Sequence, residues 1–369
     1  MLEKFKVQGF KNFSEKIELN LSAGNFEFQE EAVKNNIVKT SIIYGENASG
    51  KSNLGLAILD IATHLTDADF NEKEYRPYLN LDKDLGYASF EYHFKFGKDT
   101  VQYNYKKVDY AEVSDECLYI NNEVVIESTN KKKFVNLAGA ETLKIDTLRR
   151  DISFIKLIKS NANLSVSDDQ VNIFLKFIEF VESMLSFDSV LGHHYQGFTS
   201  GATSITSEII SMNKVKDYQT FLSDLGIDYN LFVKNVDGED RIYVKFDSGQ
   251  EINIFNVMSK GTNALTLFYN WYIQFDKGVK FVFIDEFDAY FHHKVSVNLI
   301  KKLLATKNVQ VIITTHNTVN ISNEILRPDC YFTLEDNKID SFYNKTRKEL
   351  RKAHNLEKMY RAGAFETNE

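Results

Sequence analysis

Alternation of apolar and polar residues dominates the first part of the chain and is typical of β-strands. Residues 3–20 carry two alternating runs, which are separated by a turn-like segment at residues 9–13. Residues 87–127 alternate again, with a turn at residues 120–124. These patterns predict an N-terminal hairpin and an antiparallel β-meander.

Helical spacing of apolar residues appears in two places in the first two thirds of the chain. Residues 41–44 form a short apolar strand that leads into a glycine-rich loop, and residues 53–66 then repeat at the helical period. Residues 168–235 carry the same period again. We therefore expect a helical segment inserted between two sheet-forming parts.

The last third alternates strand and helix patterns. Two continuous apolar runs, 280–284 and 309–314, are separated by a helical pattern at 292–304, and another helical pattern precedes them at 262–275. Continuous apolar strands connected by helices predict a parallel core sheet that is covered on both faces. The expected class is α/β, with a mixed or parallel core sheet, an antiparallel β-subdomain and an inserted helical subdomain.

Length and composition allow a large core in a chain of this kind. The chain has 369 residues, of which 43% are hydrophobic and 26% are charged, with two prolines. These values exclude a disordered chain. We divide the chain into an N-terminal lobe at 1–155, a helical insertion at 156–240 and a C-terminal lobe at 241–369.

Charge and cysteine content indicate which partners and which cellular compartment the protein is suited to. The formal net charge of −8 shows none of the basic character that usually accompanies nucleic-acid binding. Cys117 and Cys330 lie far apart in a pattern unlike a disulfide framework, which favours the cytoplasm. The sequence contains neither a signal-peptide pattern nor an apolar run of the roughly 20 residues that span a bilayer.

The glycine-rich loop matches the pattern G-x-x-x-x-G-K-[ST] between a strand and a helix. Its glycines let backbone N–H groups surround phosphate oxygens at the positive end of the following helix. Lys51 is expected to reach the β- and γ-phosphates of ATP, and the Ser52 hydroxyl is expected to bind Mg²⁺. The predicted nucleotide-binding residues are Gly45, Glu46, Asn47, Ala48, Ser49, Gly50, Lys51, Ser52 and Asn53.

Two acidic residues end the apolar run at 281–284. At the carboxyl end of a strand in an open α/β sheet, both face the ligand crevice. Asp285 is expected to hold Mg²⁺ through its waters, and Glu286 is expected to act as the general base on the attacking water.

A histidine, His316, ends the next apolar strand, where it is expected to contact the γ-phosphate. The pairs His292–His293 and His193–His194 lack the acidic or cysteine partners of a metal site, so structural or loop roles are expected for them.

Ser259-Lys260-Gly261-Thr262 precedes a predicted helix. A serine hydroxyl, a glycine backbone and a helix N-terminus together can bind a second phosphate, so Ser259 and Gly261 join the predicted nucleotide-binding residues.

The order of these motifs resembles the ABC-type ATPases, and most closely the AAA15-like branch, which is similar to RecF, SMC and OLD-type heads. The resemblance covers most of residues 1–150 and 245–369, including a C-terminal NLEKMYRAGAF. It implies that two heads sandwich ATP, with Ser259 and Gly261 of one chain facing Lys51 of the other. It also implies that Asp288 begins a dimer-contacting loop.

The sequence departs from the ABC pattern at three places. Lys260 replaces the first glycine of the usual signature. No glutamine stands out as the Q-loop ligand, although Gln102 is a candidate. Phe287 follows Glu286 where transporter subunits usually have proline, which argues against a transporter.

Three functions remain open from the sequence. The leading hypothesis is an ATPase that hydrolyses ATP with Mg²⁺ and forms a homodimer or higher oligomer. The resemblance also implies that such a protein controls a separately encoded effector in anti-phage defence. The second is an ATP-gated DNA clamp or repair factor, so nucleic acid stays open as a partner. The third is a nucleotide-dependent scaffold with negligible turnover.

Overall fold

The computed structural model describes residues 1–129, 132–141, 143, 152–188, 195–197 and 206–366. Its strands are β1 (Leu2–Gln8), β2 (Ile17–Asn20), β3 (Val33–Lys34), β4 (Ile37–Val38), β5 (Thr40–Tyr44), β6 (Ala88–Phe96), β7 (Asp99–Lys107), β8 (Val113–Ile120), β9 (Glu123–Ser128), β10 (Lys133–Val135), β11 (Met184–Asp188), β12 (Tyr195–Gly197), β13 (Leu231–Val236), β14 (Glu239–Lys245), β15 (Glu251–Asn253), β16 (Phe281–Asp285), β17 (Gln310–Thr315), β18 (Tyr331–Glu335) and β19 (Lys338–Ser341).

The α-helices of the described residues are α1 (Lys51–Leu65), α2 (Phe154–Asn161), α3 (Asp169–Glu182), α4 (Ser207–Ser211), α5 (Val215–Asp224), α6 (Lys260–Tyr272), α7 (His293–Leu304) and α8 (Leu356–Arg361). None of these helices combines the length and the apolarity that a membrane crossing requires.

Two seven-stranded sheets form the framework of the fold. The first has the order β10-β9-β8-β7-β6-β1-β2 and is antiparallel throughout, which confirms the predicted hairpin and meander. The second has the order β12-β11-β16-β17-β5-β18-β19. Its five inner strands are parallel, and β12 and β19 pair antiparallel at its two edges. The predicted α/β class with a mixed core sheet is therefore confirmed.

The core sheet brings the chemically important segments to one edge. β17 lies between β5 and β16, and Ile313 pairs with Ile42 on one side and Ile284 on the other. Because all three strands are parallel, the loops that follow them meet at the carboxyl edge of the sheet. The glycine-rich loop, Asp285–Glu286 and His316 all belong to these loops.

The segment expected to be helical contains strands as well, and this corrects the sequence-based description. Met184–Asp188 forms β11, which pairs parallel with β16 from Met184–Phe281 to Asp188–Asp285 and so belongs to the core sheet. A short apolar run of this length fits a buried strand as well as a helix, so periodicity misassigned it. Strand β13 also pairs with β14, which pairs with β15 on its other side in a separate three-stranded sheet. His193 and His194 lie outside the described residues.

Helix α1 lies between the two sheets. On one side Gly55 packs against Phe283 of β16 so closely that a Cβ atom at this position would lie 2.4 Å from the phenyl ring. On the other side the Tyr92 hydroxyl of β6 donates a hydrogen bond of 2.8 Å to the Ala57 carbonyl. The helix that follows the glycine-rich loop is thus held from both faces.

A buried ion pair joins α1 to the antiparallel sheet. Asp60 and Lys107 are both fully buried, and the Lys107 Nζ lies 3.1 Å from Asp60 Oδ1. The hydroxyls of Tyr105 and Tyr78 donate to the same carboxylate at 2.8 and 2.9 Å. The Lys107 ammonium also donates to the Thr63 hydroxyl at 2.8 Å. Burial lowers the pKa of Lys107, and the neighbouring Asp60 carboxylate opposes that change.

A second buried network continues from α1 to the start of α2. His64 of α1 lies 2.9 Å from the Tyr103 hydroxyl, which donates to Glu116 at 2.8 Å. Glu116 also accepts from the Ser153 hydroxyl and the Phe154 N–H, both at 2.6 Å. Burial raises the pKa of Glu116, and these donors oppose that change.

We expect Lys107→Met to lower the free energy of unfolding by about 3–5 kcal/mol, because it leaves the Asp60 carboxylate buried without its cation. Urea denaturation of the variant and of the unsubstituted chain measures this difference. Lys106→Met is the control, since Lys106 lies on the same strand but is 39% exposed where it pairs with Asp115. That change should cost about 1 kcal/mol or less. Equal losses in both variants would contradict a special role for the buried pair.

Candidate functional site

The glycine-rich loop has the conformation of an anion-binding turn. It leaves the fully buried strand β5 and enters α1 through positive φ angles of 65° at Ala48 and 102° at Gly50. Gly50 is the N-cap residue and offers no side-chain hydrogen bond to the first turn of α1. The backbone N–H groups of the first helical turn can therefore donate hydrogen bonds to an anion, whose negative charge the helix dipole stabilises.

Close packing explains both glycines of the loop. A Cβ atom on Gly45 would lie 2.8 Å from the Leu334 carbonyl oxygen, and one on Gly50 would lie 2.5 Å from Asn12 Nδ2. Asn12 belongs to the loop between β1 and β2, and its Oδ1 accepts a hydrogen bond of 2.7 Å from Asn53. The β1–β2 loop therefore supports the glycine-rich loop, a role that no sequence pattern indicated.

Three predicted catalytic side chains come together at this edge. The Lys51 Nζ lies 3.8 Å from Glu286 Oε1, and the His316 Nδ1 lies 3.0 Å from Glu286 Oε2. Lys51 is almost fully buried and donates to the Gly45 and Glu46 carbonyls at 2.8 and 2.9 Å. The three residues belong to α1, the β16 loop and the β17 loop, so the sheet topology alone unites them.

Glu286 adopts an unusual backbone conformation, with a φ of 45°. A residue with a Cβ atom pays roughly 1–2 kcal/mol for the left-handed region. The conformation is stabilised by Thr314, whose hydroxyl accepts from the Glu286 N–H at 3.0 Å and donates to Asp285 Oδ1. One threonine of β17 thus fixes both acidic residues.

A second threonine of β17 holds the following loop. The Thr315 hydroxyl donates to Asp288 at 2.5 Å, and the Asn320 amide donates to the other Asp288 oxygen at 3.1 Å. His293 in turn lies 3.1 Å from Asn320 Oδ1, in agreement with the structural role expected for it. The signal in the sequence is a pair of threonines that interrupts an apolar buried strand just before His316.

The donor set at this edge fits Mg²⁺ bound together with phosphate. Asp285 is buried at the end of β16, and Ser52 is exposed in the first turn of α1. Mg²⁺ usually takes one or two protein oxygens and completes its octahedron with phosphate oxygens and water. No cluster of three His, Cys, Asp or Glu side chains that could hold a metal ion occurs among the described residues. The Ser49 hydroxyl is also buried in the loop without a hydrogen-bond partner.

Ser259 and Gly261 lie at a different place. Ser259 is the exposed N-cap of α6, and its hydroxyl accepts from the Thr262 N–H at 3.1 Å. Gly261 packs against the loop after β16, where an added Cβ atom would lie 3.0 Å from the Tyr290 carbonyl oxygen. Within the part of the chain that the structure describes, no hydrogen bond or ion pair joins Ser259 to Lys51, Glu286 or His316.

Gln102 belongs to the antiparallel sheet. It lies in the middle of β7, and its amide donates to Asn104 at 3.2 Å. Its strand position gives no support to a role as the Q-loop glutamine.

Comparison with solved structures gives matches of low sequence identity. The alignment covers 92% of this chain and 97% of the SMC head domain from Thermotoga maritima, with 16% identity and a TM-score of 0.43. An SMC head bound to the C-terminal winged-helix domain of ScpA matches with 17% identity and a TM-score of 0.45, over 92% of this chain and 96% of that one. RecF with ATP, of the RecFOR pathway, matches with 15% identity and a TM-score of 0.39, over 92% and 99%.

Proteins of curated function provide no match to this chain. A family model described as "AAA domain, putative AbiEii toxin, Type IV TA system" matches residues 41–322. That range begins in β5 and includes the glycine-rich loop, Ser259, Asp285–Glu286 and His316. With these motifs in the order of an ABC-type ATPase head, the chain belongs to this AAA family.

Proposed function

We propose that the chain binds Mg–ATP and hydrolyses it to ADP and phosphate. The observation that carries this proposal is the contact of Lys51, Glu286 and His316 beside the start of α1. A cation at this place can bind phosphate, and a carboxylate beside it can accept a proton from the attacking water.

Each residue has a distinct task in this proposal. Lys51, which donates to its own loop carbonyls, turns to the β- and γ-phosphates when nucleotide occupies the loop. The Glu286 carboxylate accepts the proton of the attacking water, and His316 orients that carboxylate through its Nδ1. Ser52 and Asp285 would hold Mg²⁺, which neutralises phosphate charge.

The active form in this proposal is a dimer that closes over two nucleotides. Ser259 is the exposed N-cap of α6, and Gly261 in the first turn packs against the loop of Asp288. A second chain would bring this helix N-terminus to the phosphates. Exposed aromatic residues near it support a contact surface, since Phe255 and Tyr290 are 46% and 39% exposed.

We further propose that the dimer controls a separately encoded effector. The family description names a putative toxin of a toxin–antitoxin system, which supports a role in anti-phage defence. The alternative of an ATP-gated DNA clamp is supported by the exposed basic residues Arg347, Lys348, Arg351 and Lys352. DNA binding that falls steeply with added salt would favour that alternative.

A groove of about 880 Å³ offers a surface for the effector. Its lining includes Lys280 and Val309, which immediately precede β16 and β17, and Tyr272 and Lys302 near the ends of α6 and α7. At their other ends, these four elements reach the proposed site. Strand β16 ends at Asp285 and β17 ends just before His316, while α6 begins just after Ser259 and α7 begins just after the loop of Asp288. Helix α6 alone spans 13 residues, or about 20 Å.

The lining of the groove combines apolar rings with charged side chains that are mostly paired with each other, and it favours a partner with apolar side chains. Its floor contains the buried rings of Phe221, Tyr269 and Phe275. Its charged residues are the cations Lys214, Lys280, Lys302 and Lys307 and the anions Asp217 and Asp224. Lys214 pairs with Asp217 at 2.6 Å, Lys302 with Asp224 at 3.1 Å and Lys280 with Glu179 at 2.6 Å, so three of the four cations are already compensated.

We expect Glu286→Gln to bind Mg–ATP without hydrolysing it and to accumulate as a dimer. The amide keeps the shape of the side chain but cannot accept the proton of water. Mass in solution with and without Mg–ATP and phosphate release measure the two effects. Turnover should fall by about a hundredfold or more, the scale of a lost general base. Dimers that form with ATP in an unsubstituted chain that releases no phosphate would instead support the scaffold alternative.

We expect Ser259→Arg to abolish both ATP-driven dimerisation and turnover while ATP still binds the single chain. The long arginine side chain covers the N-terminus of α6, where the phosphates of the nucleotide bound to the second chain would have to lie. Nucleotide binding by calorimetry and mass in solution separate the two properties. Lys216→Arg, an exposed substitution on α5, is the control and should change neither. Full turnover in Ser259→Arg would rule out the shared site.

We expect Mg–ATP to slow amide hydrogen exchange at residues 269–275 and 302–309 in Glu286→Gln. Closure around nucleotide holds the far ends of α6 and α7, and these ends line the groove. Exchange of the same residues in Ser259→Arg should not respond, because that variant cannot close. If Mg–ATP left the exchange rates unchanged in both variants, the groove would not respond to nucleotide binding.

A further inference from the structure

The C-terminal segment 355–366, which carries the NLEKMYRAGAF motif, is an integral part of the fold. Leu356 and Phe365 are each only 1% exposed. The ring of Phe342 on the segment after β19 stacks on Phe365 at 4.3 Å and on Tyr360 at 5.5 Å. Asn355 caps α8 by accepting a hydrogen bond from the Lys358 N–H. The segment is thus fixed against the core sheet.

This segment forms one wall of a cavity beside the phosphate loop. The Tyr360 ring lies 6.1 Å from that of Tyr44, the residue directly before Gly45. A cavity of about 580 Å³ has loop residues Glu46–Ser49 on one side and Tyr360 and Arg361 on the other. The proposed mechanism uses none of the residues of α8.

Arg361 occupies the position between two loops of the site. Its Nη2 reaches the Thr318 hydroxyl at 3.4 Å, and Thr318 follows His316 by two residues. The same guanidinium forms an ion pair with Glu357 at 2.8 Å, one turn earlier on α8. The side chain is 62% exposed, so the guanidinium can move without unfolding α8.

We propose that Arg361 binds the terminal phosphate of the nucleotide held by the same chain. This inference rests on the proposed ATP site. Exposed ion pairs four residues apart on a helix change an equilibrium by only about twofold. A charge-assisted hydrogen bond from arginine to phosphate is typically stronger, at roughly ten- to a hundredfold. It is therefore favourable for the Arg361 guanidinium to leave Glu357 and bind a phosphate instead.

The acidic residues of the cavity wall favour a contact between Arg361 and phosphate only on the side of the phosphate loop. The other charged lining residues are acidic: Glu46, Glu335, Asp336 and Glu366. Glu335 pairs with Lys345 at 3.1 Å. These carboxylates repel a polyphosphate from the rest of the cavity, so the reach of Arg361 toward His316 and the phosphate loop selects the terminal phosphate.

The test compares Mg–ATP and Mg–ADP binding by calorimetry, with all variants made in Glu286→Gln so that ATP persists. We expect Arg361→Ala to raise the Kd for ATP about ten- to a hundredfold and the Kd for ADP less than about twofold. Arg361→Lys should lie between, because it keeps the charge and loses the planar fork. Arg351→Ala is the matched control, since Arg351 is 69% exposed and pairs with Glu349 at 2.7 Å.

Two results would overturn the inference. An equal increase in the Kd for ATP and the Kd for ADP would mean that Arg361 stabilises the phosphate loop and does not contact the terminal phosphate. An unchanged Kd for ATP in Arg361→Ala would mean that the guanidinium stays with Glu357 and solvent. If Glu286→Gln itself bound neither nucleotide, the proposed ATP site would fail first. Thermal unfolding of each variant verifies that the fold is retained.

Discussion

The parallel pairing of β17 with β5 on one side and β16 on the other is the constraint on which the site depends. Parallel strands in register end at the same edge, so their loops must share that edge. Lys51, Glu286 and His316 are distant in sequence, and each belongs to a different loop or helix after one of these strands. Their contacts at 3.8 and 3.0 Å depend on the register of these strands.

The stability of that edge comes from polar groups placed inside the fold. Thr314 and Thr315 end an otherwise apolar strand, yet their hydroxyls donate to Asp285 and Asp288 and so fix the end of β16 and the loop that follows it. Buried polar groups are costly unless they are hydrogen-bonded, so such positions are kept only where the partners are fixed. The strained φ of Glu286 is tolerated for the same reason, because Thr314 accepts the hydrogen bond of its N–H.

The antiparallel sheet contributes to the site from a distance. Asp60 and Lys107 join it to α1 through an ion pair without solvent access, and Gly55 lets the opposite face of α1 approach Phe283. The start of α1 is where phosphate is expected to bind, so the position of the helix between two sheets determines the position of the phosphate loop. A surface far from nucleotide, the groove at the amino ends of β16 and β17, is connected to the same loops through α6 and α7.

Short-range patterns along the chain were enough to identify the local elements and the chemistry that they carry. The loop at 45–52, the Asp285–Glu286 pair and His316 were each recognisable because a short motif depends on neighbouring residues and on one strand or helix. The tertiary structure decided the rest, because it depends on contacts between distant residues. It assigned Met184–Asp188 to the core sheet, where the apolar run alone fits a strand or a helix. It brought Asn12 to Gly50, and it placed Arg361 beside the phosphate loop, since packing and not local pattern sets the distance between segments remote in sequence.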